Sequence, residues 1–240
     1  MSADTRTAVL DAALACFVES GYEQTTIAVI RQRSGVSNGA LFHHFPTKEA
    51  IADALYVEAM ASFQEGLWEL LRRRPRSLRA AVRGTISHQL RWTEEQEDRA
   101  RFLYTRGHLD WDSPAGAELV ELNRNLAGAY RDWMAPLVEA GEIRQMSMLM
   151  VTALVNGPVH AIARRWLAGH LTAPLHSYVD ELTDAACAAL SGTPVRASRR
   201  PAPPSRRGRI RLELLAEDGQ IIANGETTAE LTPARLVTVA

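Results

Sequence analysis

From Thr5 to about Leu190 the apolar side chains return every three or four positions, with almost none of the alternation that marks a strand. This pattern predicts an all-α chain. Breaks near Gly21, Gly35, Pro46, Pro75, Gly107, Pro114, Gly141 and from Gly169 to Pro174 divide it into about nine helices. In the first, Val9, Ala13, Cys16 and Phe17 form one apolar stripe, and Gly21 supplies the left-handed residue that ends a helix, with Tyr22 placed to fold back on the last turn. Thr25 or Thr26 caps a second helix whose inward positions are Ile27, Ile30 and Ser34; Gly35 permits a sharp turn. Ser37 caps a very short third helix, from about Asn38 to His44, with Leu41 and Phe45 as its buried side. Two short helices joined through a glycine-bearing turn predict a helix-turn-helix.

After Gly192 the period is lost. Residues 192–209 carry four prolines and six arginines and predict a cationic linker, whose charge either draws it to phosphate or only solvates it. Ile210, Leu212 and Leu214 then alternate with Arg211 and Glu213, and Asp218-Gly219 and Asn224-Gly225 offer tight turns, so residues 210–240 predict a small β-meander ending with Leu236 to Val239.

Composition alters this picture little. The formal net charge is −1, so any basic surface must come from local arrangement. The first residues lack the order of a secretory signal and the longest strongly apolar run, 146–155, is too short to span a bilayer, which predicts a cytoplasmic protein. Cys16 and Cys187 each sit in an apolar helical pattern, as buried thiols do. Metal-ligand spacings, phosphate loops and dinucleotide fingerprints are missing, and His43 and His44, as neighbours on a helix, diverge too far to grip one ion. Residues 35–39 satisfy the Gly-x-Ser-x-Gly pattern of a hydrolase elbow, but that elbow needs a strand before it and the preceding segment is helical. The chain therefore predicts neither an enzyme nor a cofactor protein.

The third helix leaves Asn38, Gly39, Phe42 and His43 outward. Asparagine pairs with adenine edges, glycine admits close backbone approach, an aromatic meets a thymine methyl and histidine donates to phosphate. Lys48 falls in the first turn of the next helix, where a cation is disfavoured unless an anion visits.

Taken together, residues 25–51, TTIAVIRQRSGVSNGALFHHFPTKEAI, with the preceding ALACFVESGYEQ, resemble the DNA-binding signature of the TetR family of bacterial regulators. The resemblance implies that Thr25 and Thr26 touch phosphate, that Ser37, Asn38 and Gly39 enter the major groove, that Phe42 and His43 add contacts and that Lys48 holds phosphate. Arg31 departs from the small residue usual in that family, and either reaches outward to phosphate or disturbs the helix crossing. Ser34 departs likewise.

The division expected is a DNA-binding head over 1–50, a helical ligand-binding and dimerisation body over 51–191, the linker and the β extension. A long helix from Ile51 to about Leu71 joins head to body. In the body, His88, Trp92, Phe102, Tyr104, Trp111, Tyr130, Trp133, Asn156 and His160 mix aromatic and isolated polar groups, which suits the small-molecule pocket that the family resemblance implies. Helices over 146–168 and 174–190 are apolar over wide arcs; the resemblance makes them the homodimer interface, and Asn156-Gly157-Pro158 is expected to bend the first. The reading is a homodimeric repressor released from a palindromic DNA operator by a small-molecule effector. The alternative is a helical oligomerisation or signalling module that has lost specific DNA binding.

Overall fold

The computed structural model describes residues 2–106, 112–191, 206–215 and 221–231. They fall into two compact units, residues 1–192 and 193–240. Among the described residues the first unit is all helical: α1 Ser2–Ser20, α2 Ile27–Ser34, α3 Asn38–His44, α4 Lys48–Arg72, α5 Leu78–Glu95, α6 Glu97–Arg106, α7 Pro114–Glu139, α8 Met148–Leu167 and, after a 3-10 turn at Leu175–Tyr178, α9 Val179–Ser191.

The glycines at the breaks act as the sequence requires. Gly35 (φ 69°) and Gly21 (φ 81°) close α2 and α1 in the left-handed region, where a Cβ would be strained. Hydroxyl caps start most helices: Thr26, Ser37, Thr47, Ser77, Ser113 and Ser147 each accept the backbone N–H three residues on. α8 runs unbroken through Pro158 as a single helix.

Two main cores organise this unit. The head core joins Val9, Ala13, Cys16 and Phe17 of α1 to Ile30, Leu41, Phe45, Ile51 and Leu55, and Phe102 of α6 closes it. Its stripe is the predicted one, but it reaches beyond residue 50 into α4 and α6. The body core joins α5, α8 and α9 through residues such as Ile86, Leu90, Val155, Val159, Leu182 and Leu190. Cys16 and Cys187 are free thiols, the first buried. None of the described helices is long and apolar enough to cross a membrane.

In the second unit an antiparallel pair, β1 Arg206–Leu215 and β2 Ile221–Leu231, replaces the expected meander. β1 starts inside the stretch read as linker. Asn224-Gly225, read as a turn, lies within β2, Asn224 opposite Glu213 and Gly225 opposite Leu212, because pairing along the two strands outweighs a local turn preference. The third segment, 236–239, lies outside the described residues.

Candidate nucleic-acid interface and interior cavity

α3 buries Leu41 completely, and Phe45 just beyond it is also buried, so the opposite edge is left free to present Asn38, Gly39, Phe42 and His43 to solvent. Phe42 is 47% exposed, which is costly for an aromatic in a monomer and useful for one that meets base edges. Ser37 is exposed too, its hydroxyl engaged with the Ala40 N–H at 3.2 Å. On α2, Thr26 is exposed beside Val29, an apolar side chain 48% exposed that sequence reading passed over. Its signal was available: Val29 lies off the Ile27, Ile30 and Ser34 side of the helix. Arg31 is half-buried, and α2 and α3 keep their lengths and caps around it.

Thr25 corrects the expectation. It is 2% exposed, and its hydroxyl lies 2.8 Å from the Gly21 carbonyl and 3.2 Å from that of Cys16. One proton serves both, tying the end of α1 to the start of α2, and leaves nothing to offer phosphate.

Lys48 is held. Its Nζ donates to the Tyr22 carbonyl at 2.9 Å and stands 4.2 Å over the Tyr22 ring. The Tyr22 hydroxyl in turn donates to Glu49 Oε1 at 3.0 Å. The Glu49 pKa is lowered because its own backbone N–H and the Tyr22 hydroxyl stabilise the anion. An ammonium has three protons, so one carbonyl leaves Lys48 able to donate to an anion as well. Arg33, by contrast, is engaged with the Glu19 carboxylate through two N–H groups, the longer of the two bonds being 2.7 Å.

Behind the head, the body encloses a cavity of about 570 Å³ between α4, α5, α6, α7 and α8. Six predicted residues line it: Trp92, Tyr104, Tyr130, Trp133, Asn156 and His160. Two do not. Phe102 stacks on Phe17 in the head core, ring centroids 5.7 Å apart, since its side of α6 faces α1. His88 turns toward α4, where its Nε2 lies 2.7 Å from the Phe63 carbonyl and burial lowers its pKa. Trp111 lies outside the described residues.

Sequence reading missed the polar side chains Gln64, Thr85, Gln89 and Asn123 of the cavity. Gln64 donates to Asn123 Oδ1 at 2.8 Å and Gln89 to Asn156 Oδ1 at 2.9 Å; Thr85 pairs with the Tyr130 hydroxyl at 3.0 Å, and the Tyr104 hydroxyl with His160 Nδ1 at 2.6 Å. Burial pushes the Tyr104 phenol up to about 12 and holds the His160 imidazole below its ordinary value, aided by Arg164. Among the described residues, no cluster of His, Cys, Asp or Glu is set to hold a metal ion.

A family model described as "Bacterial regulatory proteins, tetR family" matches residues 9–55, the segment from α1 into α4. Over 72 residues the chain is 40% identical to an HTH-type transcriptional repressor of Mycobacterium tuberculosis, covering 28% of this chain and 38% of that one. Over 110 residues it is 36% identical to the HTH-type transcriptional repressor AcnR of Corynebacterium efficiens, covering 39% and 58%. Residues 9–55 are thus similar to the N-terminal domain of TetR-family regulators. The chain's matches span between about two fifths and three fifths of these two relatives' lengths. For the rest the TetR-type fold itself is the likeness: the Bacillus subtilis regulator FadR, in complex with stearoyl-CoA, superposes with a TM-score of 0.64 over 77% of this chain and 98% of that one, at 18% identity. The matched segment coincides with the head, and the cavity lies in the part that only the fold relates to FadR.

Proposed function

We propose that this protein is a homodimeric, non-enzymatic transcriptional repressor of the cytoplasm that occupies a palindromic operator and leaves it when a small molecule fills the body cavity. The observation that carries the reading is the solvent-facing edge of α3, where Asn38, Gly39, Phe42 and His43 stand opposite the buried Leu41. In this reading Asn38 and Phe42 meet base edges, with Ser37, Gly39 and His43 beside them in the groove. Thr26, Arg31 and Lys48 flank that edge and hold phosphate.

Two helices support coupling. α4 has Lys48 in its first turn and Gln64 in the cavity wall, roughly 24 Å apart along a helix at 1.5 Å per residue. α6 places Phe102 in the head core and Tyr104, two residues on, in the cavity wall. A ligand that prefers a displaced α4 or α6 lowers the population of heads correctly spaced for DNA. Two heads are needed because one short helix reads few base pairs, whereas a two-fold pair reads half-sites roughly 34–36 Å apart. For the pairing surface we assign α8 and α9. Leu149, 78% exposed, and Met150, 46% exposed, leave apolar area at the start of α8 for a second copy to cover.

Selection of bound fragments from the source genome should recover an inverted repeat. On that repeat Asn38→Ala should cost about 1–3 kcal/mol of affinity. Lys48→Ala should weaken all DNA alike and reduce the salt slope by about 0.9 for each phosphate no longer neutralised. Failure to retain any DNA would instead favour a helical oligomerisation module.

A further inference from the structure

The body cavity contains more unmet hydrogen-bonding capacity than a packed core tolerates. Gln64 and Gln89 are each 3% exposed and Trp92 is 8% exposed, yet Gln64 Oε1, Gln89 Oε1 and Trp92 Nε1 have no hydrogen-bond partner among the described residues. All three side chains line the cavity. A buried polar atom left unpaired is destabilising, so three around one space form a demand that the described part of the fold does not meet.

The kind of demand is specific. The indole N–H donates only and therefore asks for an acceptor. Each glutamine is tied through its other end to an asparagine, Asn123 or Asn156. Turning over both amides of a pair preserves that bond while exchanging the free carbonyl for a free amino group. The pairs therefore satisfy a hydroxyl or an amide in either sense. Around these groups the wall is apolar and aromatic, and among the described residues no Asp, Glu, Lys or Arg side chain lines it. A buried charge without a partner is expensive, so such a wall opposes carboxylate, phosphate and ammonium alike.

Resting on the reading of this cavity as the effector site, we propose that it takes an uncharged, predominantly apolar molecule carrying a carbonyl or ether oxygen for Trp92 and a hydroxyl or amide for the glutamines. An anionic headgroup such as a nucleotide finds no counter-charge among the described lining residues and stays out.

Calorimetric titration of the full chain without DNA tests this with four probes of one chain length: lauryl alcohol, methyl laurate, laurate and laurylammonium, all kept below micelle formation. The alcohol and the ester should bind at least about tenfold tighter than either ion. Trp92→Phe should weaken the ester about fivefold, and Gln64→Leu, which leaves the indole in place, should weaken the alcohol to a similar extent, with melting curves checking that both variants fold. Equal or tighter binding of laurate or laurylammonium overturns the proposal, as does absence of binding by all four or indifference of the ester to Trp92→Phe in a folded variant. Because DNA is absent, the parent reading is tested separately: alcohol binding that leaves DNA affinity unchanged upholds the cavity chemistry and removes the inducer role.

Discussion

The head and the body of this chain dispose of polar atoms in opposite ways. In the head the interior is apolar and closed around Ile30, Leu41 and Ile51, and Thr25, the polar side chain buried there, finds partners in backbone carbonyls. The groups suited to recognition all face outward. In the body the arrangement is inverted: the buried side-chain atoms without a partner among the described residues, on Gln64, Gln89, Trp92 and Arg144, all lie there, and three of them belong to residues of a cavity wall. A protein that reads a large polyanion needs a rigid block with chemistry on its surface, whereas one that surrounds a small molecule needs incompletely satisfied chemistry inside. Both needs are met within one helical unit.

Substitutions can break this contrast at either end. The largest effect is expected from Leu41→Ala, which empties a fully buried site under α3 and should cost about 2–5 kcal/mol in denaturant melts, with DNA binding abolished before the body unfolds. Next comes Gly66→Ala, because a Cβ there lands on the His88 imidazole, which the Phe63 carbonyl anchors; forcing α4 from α5 should cost about 1–3 kcal/mol in denaturant melts and lower ligand affinity. Thr25→Val separates a buried tie from a phosphate ligand. A stability loss of about 0.5–1.5 kcal/mol with an unchanged salt slope of DNA binding supports the tie. The smallest effect is on pH. Burial lowers the folded-state pKa of His88, so the unfolded chain takes up the proton first and stability falls as pH drops below about 6.5; His88→Gln should flatten that dependence in thermal melts.

Much of the head was legible because its signals are local. Glycine at 35, hydroxyl caps at 26, 37 and 47, and apolar pairs three and four apart fixed α2 and α3 without knowledge of the rest of the chain. Thr25 could not be told from Thr26 by the same means. Both stand before α2, and only the path of α1 decides that one faces carbonyls and the other solvent. Phe102 and His88 escaped for the same reason, since an aromatic on a helix has a face but the neighbour across it is set by tertiary packing. The Gln64–Asn123 and Gln89–Asn156 pairs join residues 59 and 67 positions apart, a distance at which no pattern reading operates. Strand alternation was visible after residue 209, but the extent of pairing depends on the register of two strands, which overrode the turn expected at 224–225.

The tethering of Lys48 has a bearing on association. A long side chain ordinarily gives up about 0.5–1.5 kcal/mol of rotamer freedom when it is immobilised at an interface. Lys48, the chain's only lysine, is already restrained by the Tyr22 carbonyl and ring, so much of that loss is incurred as the head folds. An arriving phosphate would then meet a preorganised ammonium, and loosening it by Tyr22→Ala would weaken the complex without removing a single charge.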